Sequence, residues 1–141
     1  MKEVKYLVLH CTATRLSQRV SVEDIDRWHK TLGWGGIGYH WFIDREGHTF
    51  AGRPEKQAGA HVKGYNDYAI GICYEGGLAE NGRPADTRTQ AQKDALFDLL
   101  ICLHQRYPHA VIMGHNELNP KKACPCFDAE EYRSVFADSG I

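Results

Sequence analysis

Nowhere in the 141 residues do about 18 apolar side chains run together, which excludes a membrane-spanning helix. The opening "MKEVKYLVLH" holds one short apolar run cut by a histidine, with no small-residue cleavage site behind it. No signal peptide is expected, and the product is expected to be cytoplasmic at synthesis. Charge of one sign is also missing. Lys and Arg number 17 and Asp and Glu 18, a formal net charge of −1, so neither nucleic acid nor a membrane surface is an expected partner. Repeats, low-complexity tracts and linkers are absent. The five cysteines cannot all pair, and without an export signal they point to reduced thiols used in metal binding, catalysis or burial.

What is present suits one domain over residues 1–141, since 43% of the side chains are hydrophobic, enough for a single core. "VKYLVLH" reads as a buried strand that delivers His10 at its end. "SVEDIDRWHKTLG" reads as a helix capped by Ser21 with Asp24, with Val22, Ile25, Trp28 and Leu32 on its apolar face and Gly33 as its stop. "YHWFIDREGHTFAGR" is a hairpin turning at Arg45 to Gly47, and "YAIGICYEGG" a further strand. A loop between Gly76 and Thr87 leads to a long helix from about Arg88 to Tyr107, with Leu96, Leu99, Leu100 and Leu103 as its stripe. "AVIMGH" is another strand, ending at His115, and Asp128 with Glu131 forms a capping box for a last helix to Phe136. This order predicts an α/β domain with a mixed central sheet flanked by helices, with its site at the strand ends.

Two histidines at strand ends and Cys124, nine residues after His115, are nitrogen and sulfur donors of the kind zinc takes. Their spacing alone leaves a metal site and satisfied polar residues near a core both open. The other histidines read as hydrogen-bonding groups: His29 and His104 in amphipathic helices, His48 in the hairpin, His109 after a proline, and His40 on the strand face opposite Tyr39. Cys11, Cys73 and Cys102 lie in apolar stretches and are expected to be buried small hydrophobes.

In order along the chain, "LVLHCTAT", "GYHWFIDREG", "AGAHVKGYN", "AIGICYEGG" and "GHNELNPKKACPCFD" resemble the signature blocks of the type 2 zinc N-acetylmuramoyl-L-alanine amidases. That family includes bacteriophage T7 lysozyme and the peptidoglycan recognition proteins, and the likeness runs from residue 4 to about 132. It implies zinc as cofactor, held by His10, His115 and Cys124, with Tyr39 and Lys122 as catalytic groups. It also implies His61 lining the substrate groove, where Trp34 and Tyr65 join it as contacts for sugar and peptide. Cys126 departs from the pattern, which tends to have a small polar residue there, and offers a second thiolate in the Cys-Pro-Cys stretch. Lys121 reads as a solvated neighbour.

The implied reaction cuts the amide between the lactyl group of N-acetylmuramic acid and the L-alanine of the stem peptide. Two neutral imidazoles and one thiolate leave zinc a positive charge, which lowers the pKa of a bound water toward 7. The expected partner is peptidoglycan or a muropeptide, met by a monomer at the wall after release or as imported fragments. The resemblance also allows binding to a phage RNA polymerase. Two other readings are a non-catalytic peptidoglycan-binding module and a purely structural zinc, although a structural site normally closes with four ligands.

Overall fold

Five strands form the central sheet of the computed structural model, which describes residues 3–139. They are β1 (Tyr6–Cys11), β3 (Trp41–Ile43), β4 (Thr49–Ala51), β5 (Ala69–Tyr74) and β7 (Val111–Gly114). The order is β4-β3-β5-β1-β7: β1 runs parallel to β5 and β7, β3 runs parallel to β5, and only the hairpin pair β3 and β4 is antiparallel. The sheet is mixed, as the element order predicts. No described helix is long and apolar enough to cross a membrane.

Side chains alternate across the sheet. Leu7 and Leu9 join the larger core with Ile70, Ile72 and Ile112, whereas Val8 packs in a separate cluster with Val62 and Ala69. His10 shares the Val8 face by the two-residue period. Register then builds the site. Leu9 pairs with Gly114, so the residues that follow each, His10 and His115, come side by side at the C-terminal edge.

The long helix α2 (Gln90–Arg106) covers the Leu7 face. Its expected stripe of Leu96, Leu99, Leu100 and Leu103 is buried, and its first turn is closed by a capping box between Thr89 and Gln92. Helix α1 (Val22–Thr31) starts at the expected Ser21–Asp24 box, but it is rotated from the apolar face read in the sequence. Ile25 and His29 are buried; Trp28 is 57% exposed and Leu32 47%. The last helix, α4 (Glu130–Ser139), lacks the expected box. Asp128 accepts from the Glu130 N–H, while Glu131 is drawn away to the buried guanidinium of Arg88 at 2.8 Å.

Among the thiols, Cys11 and Cys73 are buried as expected, and Cys102 is not: it stands on the exposed side of α2. The loop from Gly76 to Thr87 also holds structure the sequence did not announce, a two-residue strand β6 (Gly77–Leu78) paired with β2 (Thr14–Arg15).

Candidate active site

His10 is the penultimate, buried residue of β1, and His115 opens the single-turn helix α3 (His115–Leu118) directly after β7. The loop after α3 folds back, with the Asn116 N–H donating to the Cys124 carbonyl at 2.8 Å, and returns Cys124 to the strand ends. Cys124 Sγ lies 3.8 Å from His10 Nδ1 and 3.7 Å from His115 Nδ1, and the three donor atoms all fall within 4.8 Å of one another. Tetrahedral zinc with ordinary Zn–S and Zn–N bonds would set sulfur and nitrogen about 3.6 Å apart. The side chains therefore fit such an ion with little movement. The Cys11 N–H, 3.4 Å away, offers the sulfur a hydrogen-bond donor.

Protonation suits the same use. Burial, with His61 and His115 adding, holds His10 well below the usual histidine range. His115 is lowered by burial and then by the Lys122 ammonium. Both rings are neutral at pH 7, as a metal ligand must be. A chain of imidazoles fixes which nitrogen of His10 stays free. His61 Nε2 lies 3.3 Å from the Ala69 carbonyl and so carries its proton there; its Nδ1 then accepts from His10 Nε2 at 2.9 Å, leaving the His10 Nδ1 lone pair toward Cys124. Gly71 makes room for this arrangement, because a Cβ there would stand 2.7 Å from the His61 ring.

Above these groups opens a cavity of about 600 Å³. Tyr39, His61, His115 and Lys122 line it, as do Trp34 and Trp28. The Tyr39 ring lies 5.1 Å from that of His10, and its phenol is pushed well above the usual value by burial and then by the thiols of Cys73, Cys124 and Cys11. It is a proton donor at neutral pH. The structure thus gathers His10, His115, Cys124, Tyr39, Lys122, His61 and Trp34 in one place. Tyr65 stands apart from the cavity wall: its ring packs edge-on against Tyr6 at 5.7 Å, beside the Val8 cluster. Cys126 is turned toward Cys11, Sγ to Sγ 3.8 Å, and is not in the donor group. Lys121 is exposed and does not line the cavity.

Sequence reasoning missed Trp28, His29 and Lys63, all in the cavity wall. Its period puts Trp28 on the core face of α1, and the signal against that is its neighbour. His29 is 2% exposed and accepts the Gly38 N–H on Nδ1 at 2.8 Å, tying α1 to the chain that leads into Tyr39. With the histidine turned inward, the tryptophan, about 100° round the helix, is carried off the core and onto the groove.

Comparison with known proteins agrees with this geometry. A family profile described as N-acetylmuramoyl-L-alanine amidase matches residues 1–127. The endolysin of Escherichia phage T7 is 44% identical over 126 residues, covering 89% of this chain and 83% of the relative. That of Klebsiella phage KP32 is 42% identical over 131 residues, covering 93% and 86%. Among solved structures, the N-acetylmuramoyl-L-alanine amidase LysC from Clostridium intestinale superposes with a TM-score of 0.83 at 31% identity, covering 96% of this chain and 86% of that one. Sheet order, strand-end site and sequence likeness lead to one assignment: the chain is an enzyme of the N-acetylmuramoyl-L-alanine amidase family.

Proposed function

We propose that the chain is a zinc-dependent hydrolase of the amide bond joining N-acetylmuramic acid to the L-alanine of the stem peptide. The observation that carries this is a group of three metal-type donors, one of which, His115, lines an open cavity whose wall also holds a neutral phenol and an ammonium. Three ligands, with the cavity reaching one of them, suit a catalytic zinc better than a structural one, which closes with four. His10, His115 and Cys124 would hold the ion, which when bound supplies a Lewis acid and an acidified water.

The chain's own groups do the rest. Tyr39 keeps its proton at neutral pH, so it donates a hydrogen bond to the carbonyl oxygen as that atom gains charge. Lys122, near enough to His115 to depress it, adds a second donor whose positive charge is worth most when the oxygen is most negative. Either group can deliver the proton that the leaving amine needs. Trp28 and Trp34 offer apolar faces beside the reacting centre, suited to the sugar ring.

The test is product analysis on purified peptidoglycan. Free N-terminal alanine should appear on stem peptides with no new reducing ends, the activity should vanish with a chelator, and zinc should restore it. Elemental analysis should find about one zinc per chain, lost in Cys124→Ser and kept in Cys126→Ser. New reducing ends would mean a glycosidase, and muropeptide binding without products would leave a recognition module.

A further inference from the structure

The net charge of −1 hides a local imbalance. No aspartate or glutamate lines the cavity, whereas Lys63 and Lys122 both do. Three carboxylates on the flanking elements are engaged, Asp24 with Arg27 and Asp26 with Lys30 on α1 and Glu117 of α3 with Arg133 at 2.7 Å, while Glu23 of α1 is outside the cavity wall. Asp67, near in sequence, is exposed and outside the wall. Behind the cavity lies a third cation without a carboxylate. Arg53 spends its guanidinium on four backbone carbonyls, those of Trp34, Gly36, Ile37 and Ala58. The wall therefore carries positive charge and no carboxylate.

The proposed substrate is charged unevenly. Its sugar is neutral, and once the lactyl carboxyl is amidated every remaining anionic group lies on the stem peptide. A positive wall distinguishes the two halves. Lys122 lines the cavity together with His115 and is assigned to the reacting amide, but Lys63 has no such tie and makes no described ion pair. It sits on the exposed loop between His61 and the short 3₁₀ turn Asn66–Tyr68. We infer that Lys63 is a specificity residue that binds a carboxylate of the stem peptide, and so favours stems whose acidic groups are free over stems in which they are neutralised. This rests on the amidase reading above.

Carboxylates of the second residue, D-isoglutamate, and of a third-position meso-diaminopimelate are chemically alike at such a site, and the substrates separate them. Three soluble muramoyl tripeptides are compared: one with both groups free, one amidated at the second residue, and one with lysine in place of the diaminopimelate. Wild type should show kcat/KM about three- to ten-fold lower on whichever neutralised substrate loses the contact, the scale of a partly exposed charged pair, with the loss in KM. Lys63→Ala should bring that ratio within about two-fold of one, and Lys63→Glu should invert it. Lys121→Ala, outside the wall, should retain the wild-type ratio. Equal rates for wild type on all three substrates, or a ratio unaltered in Lys63→Ala and Lys63→Glu, would overturn the inference while leaving the amidase reading intact. Absence of any wild-type cleavage would instead bring down that reading, and the inference with it.

Discussion

Lys121 and Lys122 are adjacent and both exposed, yet only Lys122 reaches the cavity wall and the field of His115. The difference is testable because neither side chain is part of the core. Lys122→Ala should keep fold and metal but lose roughly 10²- to 10³-fold in turnover, the effect of removing one oxyanion donor, while Lys121→Ala stays within about a few-fold. Tyr39→Phe should resemble Lys122→Ala, since it removes a hydroxyl and little packing. Turnover on a soluble muropeptide, with zinc measured in each variant, decides the matter; near-normal turnover in Lys122→Ala would remove that residue from the mechanism. At this scale the sequence shows the residue types and their order, and resemblance assigns them. It does not show that His61 serves His10 through a ring nitrogen, because that bond depends on a glycine ten residues later in β5 leaving space for the ring.

Elements were legible where burial is one-sided and uniform. Helix α2 presents four leucines to the core, with one buried polar residue, Gln92, confined to its first turn, so its period is read directly. Helix α1 faces two surroundings at once, the core through Ile25 and the groove through Trp28, and a rule that counts every tryptophan as core turns it the wrong way. The α4 cap failed for a long-range reason. Arg88, 43 residues upstream, is buried over the Phe127 ring at 3.4 Å and takes Glu131 as a counter-ion, a demand that outweighs a local cap. Substitutions should separate the two helices. Leu100→Ala, at a fully buried site, should cost about 2–5 kcal/mol in urea unfolding, whereas Trp28→Ala should cost under about 1 kcal/mol despite deleting a larger side chain. Comparable losses in the two variants would mean that Trp28 is a core residue after all.

For the whole molecule, the gathering of neutral histidines around one end of the sheet has a consequence for folding that composition does not reveal. Eight histidines in a chain of net charge −1 suggest only mild pH dependence. In the fold, His10, His29, His40, His61 and His115 are all depressed, each chiefly by burial, and His61 as far as about 3. Below the unfolded value near 6.5 the unfolded chain therefore binds protons that the folded chain refuses. Stability is complete above about pH 6.5 and falls as pH falls below it, by up to about 1.4 kcal/mol per pH unit for each such ring, with His115 contributing less because it is partly exposed. Depressed carboxylates such as Asp86, held down by Arg88, work in the same direction only at lower pH, since their loss begins below the unfolded value near 4. The interval from pH 6.5 to about 4.5 belongs to the histidines. Chelated protein, in which no metal competes with protons for His10 and His115, should show a urea midpoint constant from pH 8 to 7 and dropping steeply from 6.5 to 5. Added zinc should raise the midpoint at pH 7 more than at pH 5, because protons and metal contend for the same nitrogens. A midpoint in chelated protein that does not move between pH 7 and 5 would show that these rings titrate in the fold as they do in the unfolded chain.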